Sequence, residues 1–315
     1  MSNKNEITAA VAKKEWLTLS EYKTISDEAA EVLGKEKGFL RLDGLTELSD
    51  AAAESLSKHQ GDLVLSGLTE LSDAVAESLC KHQGTITLGP NVILSQKATA
   101  ELANLGNIFC WDGFGFWLTT LSDETAECLA NYKGEVLNLN GLTELSDKAA
   151  QNLSKYQGDI LFGRLTHLSE TVAEALSMHH GLLQIDGLNT LTDPVASILS
   201  NHQGGLCLYL REITDSVALR LSKIEGDLMI YELSELTDKA AEYFSKHRGE
   251  LVLDQVSVLS DKAADIISVH EGIVRMFNLK SISPKAWEIL RKKKNFVLTE
   301  KEIRLKGSRY GYINN

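Results

Sequence analysis

One glycine returns on a nearly fixed beat. Gly38, Gly61, Gly84, Gly106, Gly134, Gly158, Gly181, Gly204, Gly226, Gly249 and Gly272 follow one another at intervals of 23, 23, 22, 28, 24, 23, 23, 22, 23 and 23 residues. Self-similarity at a period of about 20–50 residues is the mark of a solenoid or an array. It constrains the fold more than any local motif, because every unit must pack on its neighbours in the same way.

A clear unit runs from Phe39 to Gly61, FLRLDGLTELSDAAAESLSKHQG. Its first part, Leu40-Arg41-Leu42, alternates with period two and predicts one short strand, leucines inward and the intervening residue outward. Its second part, Ser49 to Leu56, predicts a helix. Ser49 is a good N-cap and Asp50 places a carboxylate at the positive end of the helix dipole. Gly61 is expected to end the helix in the left-handed C′ position. The alanines let the helix lie close to the strand layer. A strand and a helix of this size cannot bury their apolar sides alone, so the units must stack into a parallel sheet backed by a row of helices. About twelve units fit, with strands beginning near Leu17, Leu40, Leu63, Ile86, Ile108, Leu137, Ile160, Leu183, Leu206, Leu228, Leu251 and Val274, and a closing strand near Val297. The organisation expected is one repeat domain over 1–315: an N-terminal cap helix in 1–15, repeats over 16–295, and closing strands and tail over 296–315. Ser283-Pro284 opens the last helix with a serine cap and proline at the first helical position.

The repeated phrase, L-x-L-x-G-L-T-x-L-S-D-x-A-A-x-x-L, resembles the leucine-rich-repeat superfamily. It is closest to the short bacterial repeats that occur in many copies in planctomycete-like proteins. The asparagine ladder of typical members has no regular counterpart; glycine often stands there (Gly44, Gly67, Gly141, Gly187). The resemblance implies an α/β solenoid, a right-handed superhelix with a parallel sheet on its concave face and helices on its convex face. It also implies a scaffold that binds proteins or other ligands on that sheet, without implying one activity.

Composition narrows the function classes. The formal net charge is −12, which favours solubility and lacks the basic footprint that nucleic-acid backbones require. The N-terminal stretch MSNKNEITAAVAKKEW has no apolar core of a signal peptide, and no run approaches a membrane span. A cytoplasmic setting with reduced thiols is the expectation. Cys80, Cys110, Cys128 and Cys207 form no C-x-x-C pair, so no zinc site or disulfide framework is indicated. There is no nucleophile elbow, phosphate loop or metal-ligand spacing; no enzyme activity, cofactor or metal is expected.

Three recurring features read as structural. His59, His82, His179, His202, His247 and His270 share one slot, three residues past the last helix leucine, where other units carry Tyr132, Tyr156, Leu105 or Ile224. A ligand or catalyst does not tolerate leucine in its place, so these are read as part-buried packing residues. The aspartates of the S/T-D phrase sit at helix starts, where the dipole explains them. Arg291-Lys292-Lys293-Lys294, followed by Lys301, Arg304, Lys306 and Arg309, makes the C-terminal end basic; it reads as a solvated face, or as a dock for an acidic partner.

The outward positions of the strands point to function. The middle column reads Thr18, Arg41, Val64, Thr87, Phe109, Asn138, Leu161, Gln184, Cys207, Met229, Val252, Arg275. The next reads Ser20, Asp43, Ser66, Gly89, Trp111, Asn140, Gly163, Asp186, Tyr209, Tyr231, Asp254, Phe277. Cys207, Tyr209, Met229, Tyr231, Val252 and Phe277 form an apolar, aromatic strip; Phe109 and Trp111 form a second spot. Such residues on an exposed sheet compose a binding surface, although cross-strand packing also favours aromatics. The 28-residue interval holds NIFCWDGFGFWLTTLSD. Its surplus, placed at Phe114 to Trp117, is expected as an insertion after the strand. There Phe116 and Trp117 either stand out as an anchor or fold inward to plug the irregular repeat at Gly89-Pro90. The expected function is a non-enzymatic scaffold, monomeric or weakly self-associating. It binds a protein partner through Phe109, Trp111, Phe116, Trp117 and the strip. Carbohydrate or peptide binding on the strip, or a purely structural array, are the alternatives.

Overall fold

The computed structural model describes residues 16–89, 92–103, 108–110, 114–115 and 118–298, and these divide into two compact units, Met1–Leu161 and Phe162–Asn315. The expected N-terminal cap helix over 1–15 and the tail beyond Leu298 lie outside the described residues.

Within each unit the strand–helix alternation is as the period demands, an α/β solenoid. In the first unit, Leu40–Arg41, Leu63–Leu65, Ile86–Leu88 and Ile108–Cys110 form one parallel ladder in sequence order, and Phe114–Gly115 and Val136–Asn138 lead into the strand beginning at Asp159. In the second, Leu183–Ile185, Leu206–Leu208, Leu228–Ile230, Leu251–Val252, Val274–Arg275 and Phe296–Val297 do the same. The register pairs the first core leucine of each unit with that of the next, Leu183 with Leu206 and Leu206 with Leu228. One face of the strands, the small residues of the helices and the last helix leucine together form the core: Leu63, Leu65, Ala52, Ala53 and Leu56 are fully buried. Each such leucine contributes about 2 kcal/mol of apolar burial.

The helices are short, mostly seven residues, and their caps are chained from unit to unit. Ser49 Oγ accepts from the Ala52 amide and donates to Asp27 of the preceding helix; Ser72 repeats this toward Asp50 and Ser260 toward Asp238. The S-D phrase is therefore a capping serine plus a first-turn aspartate that also accepts from the next unit's serine.

Three local expectations are corrected. The first strand, near Leu17, is a turn of 3-10 helix, Trp16–Glu21, closed by its own Tyr22 N–H to Leu19 carbonyl bond. Among the described residues this segment stands at the end of the ladder, and a local i→i+3 bond takes over there. The period glycine does not cap the helix: the helix Asp50–Leu56 ends at Ser57, in the right-handed region, and Gly61 comes later with φ +153°. What requires glycine is close approach, because a Cβ at Gly61 would stand 1.9 Å from the Gly38 carbonyl oxygen and one at Gly84 2.0 Å from that of Gly61. The irregular repeat is also not a simple insertion after its strand. Ile108–Cys110 pairs upstream with Ile86–Leu88, while Phe114–Gly115 pairs downstream with Leu137 and Asn138. The ladder partner changes between these two segments, and in register Phe114 stands opposite Leu137.

Candidate functional site

The histidine slot builds the seam between units. All six histidines are buried. Nε2 of His59 meets the Gly38 carbonyl at 2.8 Å while Nδ1 meets that of Leu33 at 3.0 Å; His270 meets Gly249 and Phe244 in the same manner, both at 3.1 Å. The rings stack in pairs, His59 on His82 and His247 on His270, with centroids 6.4 and 6.0 Å apart. Tyr156 fills the slot by donating from its hydroxyl to the Gly134 carbonyl. These groups read the backbone of the preceding unit, deeper than the part-buried position expected. Burial holds His202 and His270 below the usual range and His247 at about 4, with the neighbouring His270 adding to the effect.

The outward face of the second unit holds most of the candidate residues. Successive strands bring Gln184, Cys207, Met229, Val252 and Arg275 into register as one column, flanked by Asp186, Tyr209, Tyr231, Asp254 and Phe277 two residues further along each strand. The expectation of an exposed strip is corrected here: Cys207 is 1%, Met229 2% and Val252 0% exposed. With Leu182 they form an apolar cluster, and Tyr209 and Tyr231 pack against it half-buried, rings 5.1 Å apart and tilted by 43°. The strip is thus a second small core on the outer side of the sheet. Burial pushes the Cys207 thiol and both tyrosine hydroxyls up, so none is poised to ionise. Cys80 is pushed up to about 11, chiefly by burial.

Charge is buried on the same face. Arg275 Nη2 donates to Asp254 Oδ2 at 2.6 Å, and its guanidinium lies 5.0 Å from the Phe277 ring centre. Burial raises the Asp254 carboxyl, and Arg275 opposes this. Asp186 accepts from Gln184 Nε2, yet burial still lifts its carboxyl to about 6. Sequence reading missed the Arg275–Asp254 pair. Its signal was two opposite charges in adjacent columns of neighbouring strands.

In the first unit, Phe109 lies in the strand Ile108–Cys110, opposite Thr87. Trp111, Phe116 and Trp117 lie outside the described residues. Ile93, Leu94, Leu118 and Thr119 line an open groove of about 720 Å³. Among the described residues, no group of three or more His, Cys, Asp or Glu side chains could hold a metal, and no helix is long and apolar enough to cross a membrane.

No protein-family model and no curated protein matches the chain. Among solved structures, it is similar to a leucine-rich-repeat protein of Leptospira interrogans, 15% identical with a TM-score of 0.48 over 90% of this chain and 82% of that one. It is also similar to an internalin of Listeria monocytogenes, 17% identical with a TM-score of 0.45 over 82% and 74%. A third is the Drosophila Toll–Spatzle complex, 9% identical with a TM-score of 0.39 over 89% and 50%. Leucine-rich-repeat proteins thus stand among the structural neighbours of the chain. Likenesses this distant carry no argument about function.

Proposed function

We propose that the chain is a non-enzymatic repeat scaffold that binds a protein partner through the outward face of its sheet. The supporting observation is the Tyr209–Tyr231 pair, half-buried on the apolar base of Cys207, Met229 and Val252. Large amphipathic rings on a rigid base give contact area at low entropic cost, which is the usual character of an interface anchor. Tyr209, Tyr231 and Phe277 are the contact residues in this reading; Cys207, Met229 and Val252 hold the rings in place. Phe109, Trp111, Phe116 and Trp117 supply a second contact. The parallel ladder sets the strands that carry Tyr209, Tyr231 and Phe277 at ~4.8 Å spacing, so a partner meets a preformed surface there.

Affinity capture from native lysate with three baits tests this: wild type, Tyr209→Ser/Tyr231→Ser, and Phe109→Ser/Trp111→Ser, each checked for unchanged circular dichroism. A stoichiometric partner retained by wild type and lost with the tyrosine variant is the expected result. A partner held equally by all three, or none above background, would remove the reading in favour of a purely structural array.

A further inference from the structure

Two aspartates on the outward face of the second unit stand level with an aromatic residue of the next strand. In the register of the ladder Asp254 is level with Phe277, and Asp186 with Tyr209. At the first pair, the strand that carries the ring also supplies a guanidinium. Arg275, two residues before Phe277, donates from Nη2 to Asp254 Oδ2 at 2.6 Å and lies 5.0 Å from the Phe277 ring centre. At the second pair the same slot, two residues before Tyr209, holds Cys207. The two carboxylates are otherwise built alike. In both, Oδ1 is buried with no hydrogen-bond partner among the described residues, and Oδ2 is the oxygen in use. Asp186 Oδ2 accepts from Gln184 Nε2 at 3.1 Å, and a carboxylate oxygen can take a second donor. Among the described residues no basic side chain forms an ion pair with Asp186. Asp254 is 7% exposed beside its arginine, whereas Asp186 and Tyr209 are both partly exposed.

We propose that Asp186 and Tyr209 anchor one arginine side chain of the protein partner, its guanidinium pairing with Asp186 Oδ2 and lying on the Tyr209 ring as Arg275 does with Asp254 and Phe277. The inference rests on the reading that this face binds a protein, and it names the chemistry of the contact. The molecule carries the precedent: the same aspartate and ring positions hold a guanidinium one site further along the same ladder. Charge supports it. Burial lifts the Asp186 carboxyl to about 6, and an arriving cation would offset that cost. Proximity supports it too. Burial first and the Asp186 charge next push the Tyr209 hydroxyl up, so carboxylate and ring are close neighbours. A guanidinium suits this frame better than an ammonium, because it is planar, stacks on a ring and is more weakly hydrated.

The probe is the peptide acetyl-Gly-Gly-Arg-Gly-Gly-amide, with versions carrying lysine or glutamine in place of the arginine. Each is titrated into the full-length chain, isotope-labelled in aspartate and tyrosine and read by nuclear magnetic resonance. Saturable shifts of the Asp186 carboxyl and the Tyr209 ring are expected with the arginine peptide. Affinity should fall roughly tenfold in Asp186→Asn and roughly threefold in Tyr209→Leu, with circular dichroism unchanged. The lysine peptide should bind at least about threefold more weakly than the arginine one, and the glutamine peptide more weakly still. Asp186 and Tyr209 unmoved by the arginine peptide in the unaltered chain overturn the inference. So does equal binding of the lysine peptide, which would make the site a general cation contact. Shifts of the same groups on concentrating the chain alone would assign the arginine to a second copy and overturn an outside partner. The two readings fail separately. A captured partner lost with Tyr209→Ser/Tyr231→Ser but held fully by Asp186→Asn keeps the face as an interface and removes the arginine. No tyrosine-dependent partner removes the broader reading, and the arginine contact with it.

Discussion

Two arginine–aspartate pairs occupy the outward sheet face, one in each unit, and they live in different media. Arg41 and Asp43 meet at 2.8 Å with the arginine side chain 52% exposed; Arg275 and Asp254 meet at 2.6 Å with the arginine 1% exposed. Both arginines hold the same slot of the same repeat. The repeat therefore fixes the direction of a side chain, while what lies on top of the sheet fixes its environment. In water such a pair adds little, because attraction is screened and two long side chains must be ordered. Under cover the same pair is a commitment: each charge needs the other, since neither can recover its hydration.

The largest expected contrast follows directly. Arg275→Ala leaves Asp254 buried without its partner and should destabilise the chain by about 3–5 kcal/mol in urea unfolding. Arg41→Ala should leave the midpoint unchanged. Replacing both members of the buried pair, Arg275→Met with Asp254→Leu, should recover most of the loss. If Arg275→Ala is as silent as Arg41→Ala, the two faces are not different media.

Acid should act next. His247 titrates near 4 in the folded chain, below the ordinary histidine range. Its contribution is fully present above about pH 6.5 and is lost as pH falls toward 4, because the unfolded chain then binds the proton and the folded chain does not. The loss at pH 4 should be on the order of 2–3 kcal/mol. His247→Tyr, which copies the Tyr156 solution of the same slot, should flatten that limb of a melting-temperature profile. An unchanged profile would mean that the histidine seam is already protonated in the fold.

A smaller effect distinguishes the carboxylates of the face. Asp186 has its folded value raised to about 6, so the stability it carries is present at low pH and is lost as pH rises through 6. Asp186→Asn should thus stabilise by about 1 kcal/mol at pH 7.5 and by nothing at pH 4. Asp43→Asn, which gives up an exposed ion pair, should show no such gain.

Much of this molecule is legible in its sequence. The 23-residue beat, the alternating leucines and the S-D caps state the strand–helix unit, and the structure repeats it through both units. The ends and the breaks are less legible. Trp16–Glu21 carries the strand pattern but closes on itself as a turn of 3-10 helix. Phe114 looks like part of an insertion, yet it belongs to a strand and pairs with Leu137. The candidate site shows the sharper limit. Period two separates inward from outward and assigns Cys207, Met229 and Val252 to the outward face. Outward does not mean exposed, because alternation carries no information about a second layer. The glycines show a related gap. A helix-ending glycine and a glycine pressed on a neighbouring carbonyl look alike in sequence, and only stacking distinguishes Gly61 as the second.

Hydroxyl-radical footprinting of Met178 and Met229, two of the three methionines in the second unit, is the most direct test of the closed face. Met178 is 68% exposed at a helix end, and Met229 is 2% exposed in the middle of the sheet face. Oxidation follows exposure at equal chemistry, so Met178 should react faster than Met229 by roughly tenfold or more. Equal rates would mean that the outward face stands open to solvent, and the contrast between the two arginine–aspartate pairs would fall with it.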